Sequence, residues 1–245
     1  MQLVGWVLLA VVGAVGAAGA KASTPAKPAM PAVARYEAAL AKARAQPRAN
    51  VEELYGLALG AGAEVLRDLV KVTEAQFAGK EAKPAVTEVQ GLTLSWERVL
   101  YAEPQPRFFA ALAKEKGRPV DQAFFERLAA TKPEGTWPVY IEQQTDDSGC
   151  VRYEARVVAP VYRGWLEFRK RFPKEYKRAV AQELERAEHA LAGTCACGKR
   201  SEVEAGLAEL AKALAGSKAG TIAKKQLDGL RTGKSELRLE CRAGR

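Results

Sequence analysis

Residues 161–191 read VYRGWLEFRKRFPKEYKRAVAQELERAEHAL, and the rest of the chain takes its meaning from them. As a helix, Trp165, Phe168, Phe172, Tyr176, Val180, Leu184, Ala187 and Leu191 recur at steps of three or four and stack along one face of a long rod. The other face is charged. Arg163, Arg169, Lys170, Arg171, Lys174, Lys177 and Arg178 stand against only Glu167 and Glu175, a local excess of five positive charges beside a row of aromatics. Pro173 deletes one backbone donor and clashes with the preceding turn. The rod is therefore expected to kink there or break into two helices, with its apolar stripe in phase on both sides.

Immediately upstream, residues 137–158 change period from helical to alternating. Trp137, Val139 and Ile141 alternate with Pro138, Tyr140 and Glu142, residues 145–149 (TDDSG) supply turn chemistry, and Val151, Tyr153, Ala155 and Val157 alternate on the return. This predicts a β-hairpin. Two strands alone are marginal in water, so the Trp137 and Tyr153 face must rest on another element, for which residues 161–191 are the obvious surface. Downstream, Gly193 and the CAC run at 195–197 end the rod, and Ser201 with Glu204 reads as the cap of a helix reaching Leu214. A break at 216–220 precedes a short basic helix over 222–230. Leu237 and Leu239 then alternate toward Cys241, suggesting a last strand that extends the hairpin into a small sheet.

Farther upstream the pattern is helical. Residues 33–46 place Val33, Tyr36, Leu40 and Ala43 on one side before Pro47 stops them. Asn50 with Glu53 reads as a capping pair for a longer helix to Phe77, whose stripe is Leu54, Leu57 or Ala58, Ala61, Val65, Leu69 and Val72. Gly56, Gly60 and Gly62 interrupt it, each costing up to about 1 kcal/mol relative to Ala, and close approach of another backbone is the expected offset. Residues 86–101 fit a helix through Val89, Leu92, Trp96 and Val99, although Leu92, Leu94 and Trp96 also alternate like a strand; helix is the expectation. Phe108-Phe109 with Leu112-Ala113, and Phe124-Phe125 with Leu128-Ala129, flank a Gly117-Arg118-Pro119 break and predict a helical hairpin.

The N-terminus reads differently. Residues 3–20 are an apolar run ending in Ala18-Gly19-Ala20, with a second small-residue cut point after Ala22, so residues 1–22 resemble a cleavable secretory signal. Its n-region has no Lys or Arg, and an N-terminal membrane anchor is the alternative, which the four glycines in this short run disfavour. Residues 23–31 (STPAKPAMP) form a Pro/Ala-rich tether that stays extended. Residues 32–245 then make one mainly helical domain with a small antiparallel β-hairpin or sheet in the C-terminal half, with α+β as the alternative class. Composition agrees: 48% of residues are hydrophobic but only 7% aromatic, and that apolar content leans on Ala and Leu, which favour helix.

Four cysteines, Cys150, Cys195, Cys197 and Cys241, lie behind this export signal and argue for two disulfides stapling residues 150–241. A Cys195–Cys197 bridge would close a very small strained ring, so each of that pair is expected to join one of the distant two, in an order the spacing does not give. A zinc site lacks its paired C-x-x-C knuckles, and a redox C-x-C is the remaining alternative.

No motif identifies a reaction. The single histidine, His189, is rotated by about 200° from Ala187 and points away from the stripe, which removes Ser-His-Asp and Cys-His catalysis as natural readings. Carboxylates are then the route to an enzyme: Glu142, Asp146 and Asp147 near the hairpin tip, and Glu97, Glu103 and Glu126 on or near helices. No cofactor or metal is expected. Of the formal charge of +9, residues 161–245 hold +8, nineteen Lys and Arg against eleven Asp and Glu, which makes the C-terminal third the basic end. Aromatics on one face and cations on the other disfavour nucleic acid, where exposed rings must stack on bases. The expectation is a secreted or periplasmic, non-enzymatic protein. Through Arg163, Arg169, Lys170, Arg171, Lys174, Lys177 and Arg178 it would contact an anionic envelope polymer, a membrane surface or an acidic protein. A carboxylate-dependent hydrolase of an envelope polymer and a thiol-disulfide protein using Cys195 and Cys197 are the alternatives. Oligomeric state leaves no trace in these patterns.

Overall fold

Prolines bracket the first helix: α1 (Pro31–Ala45) has Pro31 in its first turn, where the missing donor costs nothing, and Pro47 lies just beyond its end. The computed structural model describes residues 30–95, 100–133, 136–144 and 148–241. The signal-like segment, most of the tether, Glu97 and the Asp146-Asp147 turn lie outside the described residues. α1 buries Val33, Tyr36, Leu40 and Ala43 against α2 (Val51–Phe77). The Asn50 side chain accepts from the Glu53 backbone N–H at 3.2 Å and its amide donates to the Glu53 carboxylate at 3.1 Å, which is the expected capping pair.

The described residues of 86–101 do not form a helix. They contain β1 (Leu92–Ser95), which pairs antiparallel with β2 (Tyr101–Pro104) in the register Leu92↔Pro104 and Leu94↔Ala102. Alternation outweighs the helical spacing here because Gly91 adopts φ 78° and turns the chain into the strand, while Tyr36 fixes its start by donating to the Gln90 carbonyl at 2.7 Å. β2 lies on α2 at Gly62, where a Cβ would collide with the Ala102 carbonyl. Close approach therefore accounts for Gly62. It does not account for Gly56 or Gly60, which have nothing within 4 Å of where a Cβ would stand.

α3 (Pro106–Lys116) and α4 (Pro119–Thr131) form the helical hairpin that the repeated Phe-Phe and Leu-Ala pairs predict. The expected β-hairpin is present but short: β3 (Ile141–Gln143) pairs with β4 (Gly149–Val151), Glu142 opposite Cys150. Trp137 to Tyr140 run as bends and turns rather than strand, and Ala155 and Val157 belong to α5 (Ala155–Arg171). The helical stripe wins in that last stretch because Val158, Tyr162 and Trp165 are all buried when it is wound as helix.

At Pro173 the rod breaks into α5 and α6 (Lys177–Leu191). Tyr176 makes the corner in a left-handed conformation, φ 50°, that a tyrosine adopts only under compulsion. Three contacts supply it. Its N–H donates to the Glu52 carboxylate, its ring stacks on Phe124 with centroids 3.9 Å apart, and its hydroxyl donates to buried Asp121 at 2.9 Å. The same Asp121 accepts from the Arg118 backbone N–H at 2.7 Å, so the cap of α4 and the corner of the rod share one carboxylate. Trp165, Phe168 and Tyr176 face inward onto Phe124, while Phe172 at the break is only half-buried.

α7 (Arg200–Ala213) begins two residues earlier than expected: its cap is Lys199, whose N–H donates to Glu202 at 2.9 Å, and Ser201 is an exposed residue inside the helix. α8 (Lys218–Thr232) packs against α7 and α6 and is longer than its apolar pattern suggests, because Ser217 caps it by accepting from the Gly220 N–H at 3.1 Å. The C-terminal segment does not pair with β4 directly. Residues 195–197 lie between them: Val151 donates to the Cys195 carbonyl and accepts from Cys197, while Ala196 donates to the Arg238 carbonyl and accepts from Cys241. Disulfides join Cys150 to Cys197 and Cys195 to Cys241, with Cα atoms 5.1 and 5.8 Å apart. The chain is thus mainly helical with a two-stranded hairpin in each half, and one hydrophobic cluster runs from Val33 to Leu237. Among the described residues, no helix is long and apolar enough to cross a membrane.

Candidate functional site

Two opposite charges occupy positions that helical periodicity reserves for the core. Lys132 follows Leu128 by four residues, and Glu183 lies three after Val180 and four before Ala187; both are only 4% exposed. Each supports the burial of the other, with help from two neighbours. The Lys132 ammonium is 3.1 Å from Glu103 of β2 and 3.8 Å from Glu183. Arg186, one turn along α6, lies 2.5 Å from the same Glu183 oxygen and 3.8 Å from Glu103. Burial works against the Arg186 charge, but Glu183 and Glu103 outweigh it and hold the guanidinium pKa above its usual value.

Glu103, Lys132 and Arg186 of this cluster form the inner wall of a cleft of about 690 Å³, which Glu183 itself does not line. Tyr101, Trp137, Pro138, Tyr140 and Ile141 line its apolar side; Gln182, Glu185 and His189 rim it from α6. The loop carrying Trp137 is tied back to α4 where Val139 donates to the Thr131 carbonyl at 2.9 Å. Burial, and then the nearby Glu183 carboxylate, push the Tyr55 and Tyr140 phenols up from their ordinary value. The Tyr140 hydroxyl and the Glu183 Oε2 are buried without a hydrogen-bond partner among the described residues. Such orphans are uncommon in native interiors and mark a place where polar contacts are left to be made.

Among the described residues, the carboxylates singled out in the sequence do not assemble. Glu142 is exposed on β3 and Glu126 is exposed on α4; of these three described carboxylates Glu103 alone reaches the cleft, and it is engaged by Lys132 and Arg186. His189 is exposed, as its rotation from the stripe predicts, and stands at the rim. Lys132, Glu183, Arg186 and the Tyr101–Trp137–Tyr140 wall escaped the sequence reading. A charge in phase with an apolar stripe is the signal that would have exposed Lys132 and Glu183.

A second cavity, of about 580 Å³, lies between Tyr153 and α7. Three of its charged groups pair with one another: Arg152 and Arg156 both donate to Glu154, at 2.7 and 2.8 Å, and these bonds hold the Glu154 carboxyl below the usual carboxylate range.

The seven cations of residues 163–178 present a different surface. Arg163, Arg169, Lys170, Arg171, Lys174, Lys177 and Arg178 are all exposed, and among the described residues none has a carboxylate within 4.0 Å. Arg171 lies over the Phe172 ring at 5.0 Å. Elsewhere charges are used internally: Glu188 accepts from Tyr162 at 2.8 Å and pairs with Lys218 at 2.6 Å, joining α5, α6 and α8. No family model, curated protein or solved structure matches this chain.

Proposed function

We propose that the chain is an exported, disulfide-stabilised protein that docks on an extended polyanion of the cell envelope through the cationic surface of α5 and the start of α6. The observation that carries this reading is the set of seven exposed Lys and Arg side chains that no carboxylate neutralises among the described residues. Unpaired cations held on helices keep their full field for an outside anion, and their number favours a repeating polyanion over a single small one. Two disulfides support a location outside the reducing cytosol, and the N-terminal apolar run supplies the route.

The test is co-sedimentation of the purified protein with vesicles containing phosphatidylglycerol, run beside affinity electrophoresis in an acidic polysaccharide such as polygalacturonate. Binding in either arm should fall steeply as salt rises through about 0.1 M, where the screening length shrinks to about 10 Å. The triple substitution R163E/K170E/K174E should weaken it at least about ten-fold with an unchanged melting temperature. Salt-independent binding, equal binding to neutral vesicles or neutral polysaccharide, or capture by an acidic protein alone would overturn the proposal.

A further inference from the structure

The cleft between β2, the loop after α4, and α6 plays no part in the docking proposed for the cationic surface. We propose that it binds a neutral saccharide. Its two sides offer what a sugar ring presents. Trp137 and Tyr101 supply half-buried aromatic rings suited to the apolar C–H faces of a pyranose. The inner wall sets donors beside an acceptor: the Lys132 ammonium and Arg186 guanidinium donate and the Glu103 carboxylate accepts. Sugar hydroxyls likewise donate and accept, so they satisfy such a mixed wall from one ring.

Charge decides against an ionic ligand. The inner cluster holds two cations, Lys132 and Arg186, and two carboxylates, Glu103 and Glu183, all within 4.0 Å of an opposite partner. An entering ammonium or phosphate would meet a like charge beside every opposite one. A neutral polar ring meets no such conflict. Tyr140, 2% exposed, adds its ring to the apolar lining, while its hydroxyl is buried below the surface of the cleft with no hydrogen-bond partner among the described residues. The cavity volume of about 690 Å³ lies within the range of small-ligand sites, roughly 300 to 1,000 Å³.

The unmodified protein titrated with chitotetraose, cellotetraose and maltotetraose, followed by ligand-observed NMR, should show saturable binding of at least one, with an affinity that does not change with salt. Trp137→Ala should weaken it at least about ten-fold by removing the stacking face. Tyr101→Leu is the second variant: it keeps an apolar side chain on β2 and should leave the melting temperature close to the parent's while lowering affinity about five-fold, a split that a merely structural tyrosine would not produce. Three results would overturn the proposal: no saturation by any of the three sugars up to about 10 mM; salt-sensitive binding of spermidine in their place; or undiminished sugar affinity in Tyr101→Leu.

Discussion

At the residue scale, three glycines of one helix have different reasons to be there. Gly62 faces the Ala102 carbonyl of β2 so closely that a Cβ cannot fit, whereas Gly56 and Gly60 look onto open space. Gly62→Ala should therefore destabilise the protein by about 1–3 kcal/mol through forced separation of α2 and β2. Gly60→Ala should stabilise it by up to about 1 kcal/mol, the difference in helix propensity. Urea denaturation midpoints for the two variants should move in opposite directions; a shift of the same sign in both would contradict this assignment. The sequence shows that something must offset glycines in a helix, but which one touches a neighbour depends on the strand that folds onto it. Tyr176 is a similar case. Its aromatic character and phase are plain in the sequence, but its left-handed backbone arises from Glu52, Phe124 and Asp121 holding it from elsewhere in the chain.

At the element scale, the run at 195–197 works as a central strand without being one. Backbone bonds on its two sides alternate between Val151 and the Arg238–Cys241 segment, and this placement decides the sulfur pairing. Spacing disfavoured the Cys195–Cys197 ring; only the order of segments, β4 then 195–197 then the C-terminal segment, puts Cys197 with Cys150 and Cys195 with Cys241. The bridges span 47 and 46 residues, and loops of that length correspond to about 4 kcal/mol each in the chain-entropy account. The double variants Cys150→Ser/Cys197→Ser and Cys195→Ser/Cys241→Ser should each lower unfolding stability by about 2–4 kcal/mol in denaturant titrations. Midpoints equal to that of the oxidised parent would show that the bridges constrain nothing. β1 and β2 teach the converse lesson. Val89, Leu92, Trp96 and Val99 satisfy a helical period, yet the positive φ of Gly91 commits Leu92 and Leu94 to a strand, and a single φ is invisible to a hydrophobic pattern.

At the scale of the whole molecule, the core is rich in buried phenols. Burial pushes Tyr36 and Tyr162 up to about 12, with Glu188 adding to the effect at Tyr162, and it raises Tyr55, Tyr140, Tyr153 and Tyr176 further. Unfolded tyrosines release their protons near the ordinary value of about 10, earlier than the folded ones. These six groups therefore contribute their full stability below about pH 10 and lose it as pH climbs through 10 toward 12 and beyond. Urea midpoints should decline from about pH 9 to about pH 11, with native phenolate absorbance lagging behind that of the unfolded chain. A midpoint that holds or rises over this interval would count against the buried-phenol core.

What the sequence settled by itself follows from local period and local chemistry. Helical class, the break at Pro173, the inward row Trp165, Phe168, Tyr176 and Val180, the α3–α4 hairpin and the exposure of the seven cations all depend on residues within a few turns of one another. The cleft and the charge cluster beside it depend on contacts across the chain. Glu103, Lys132, Tyr140, Glu183 and Arg186 come from β2, the end of α4, the following loop and α6, and their burial is tolerable only because folding sets each charge within reach of an opposite one. The partner of a buried charge is chosen by distance in space, and that distance does not exist until the fold closes.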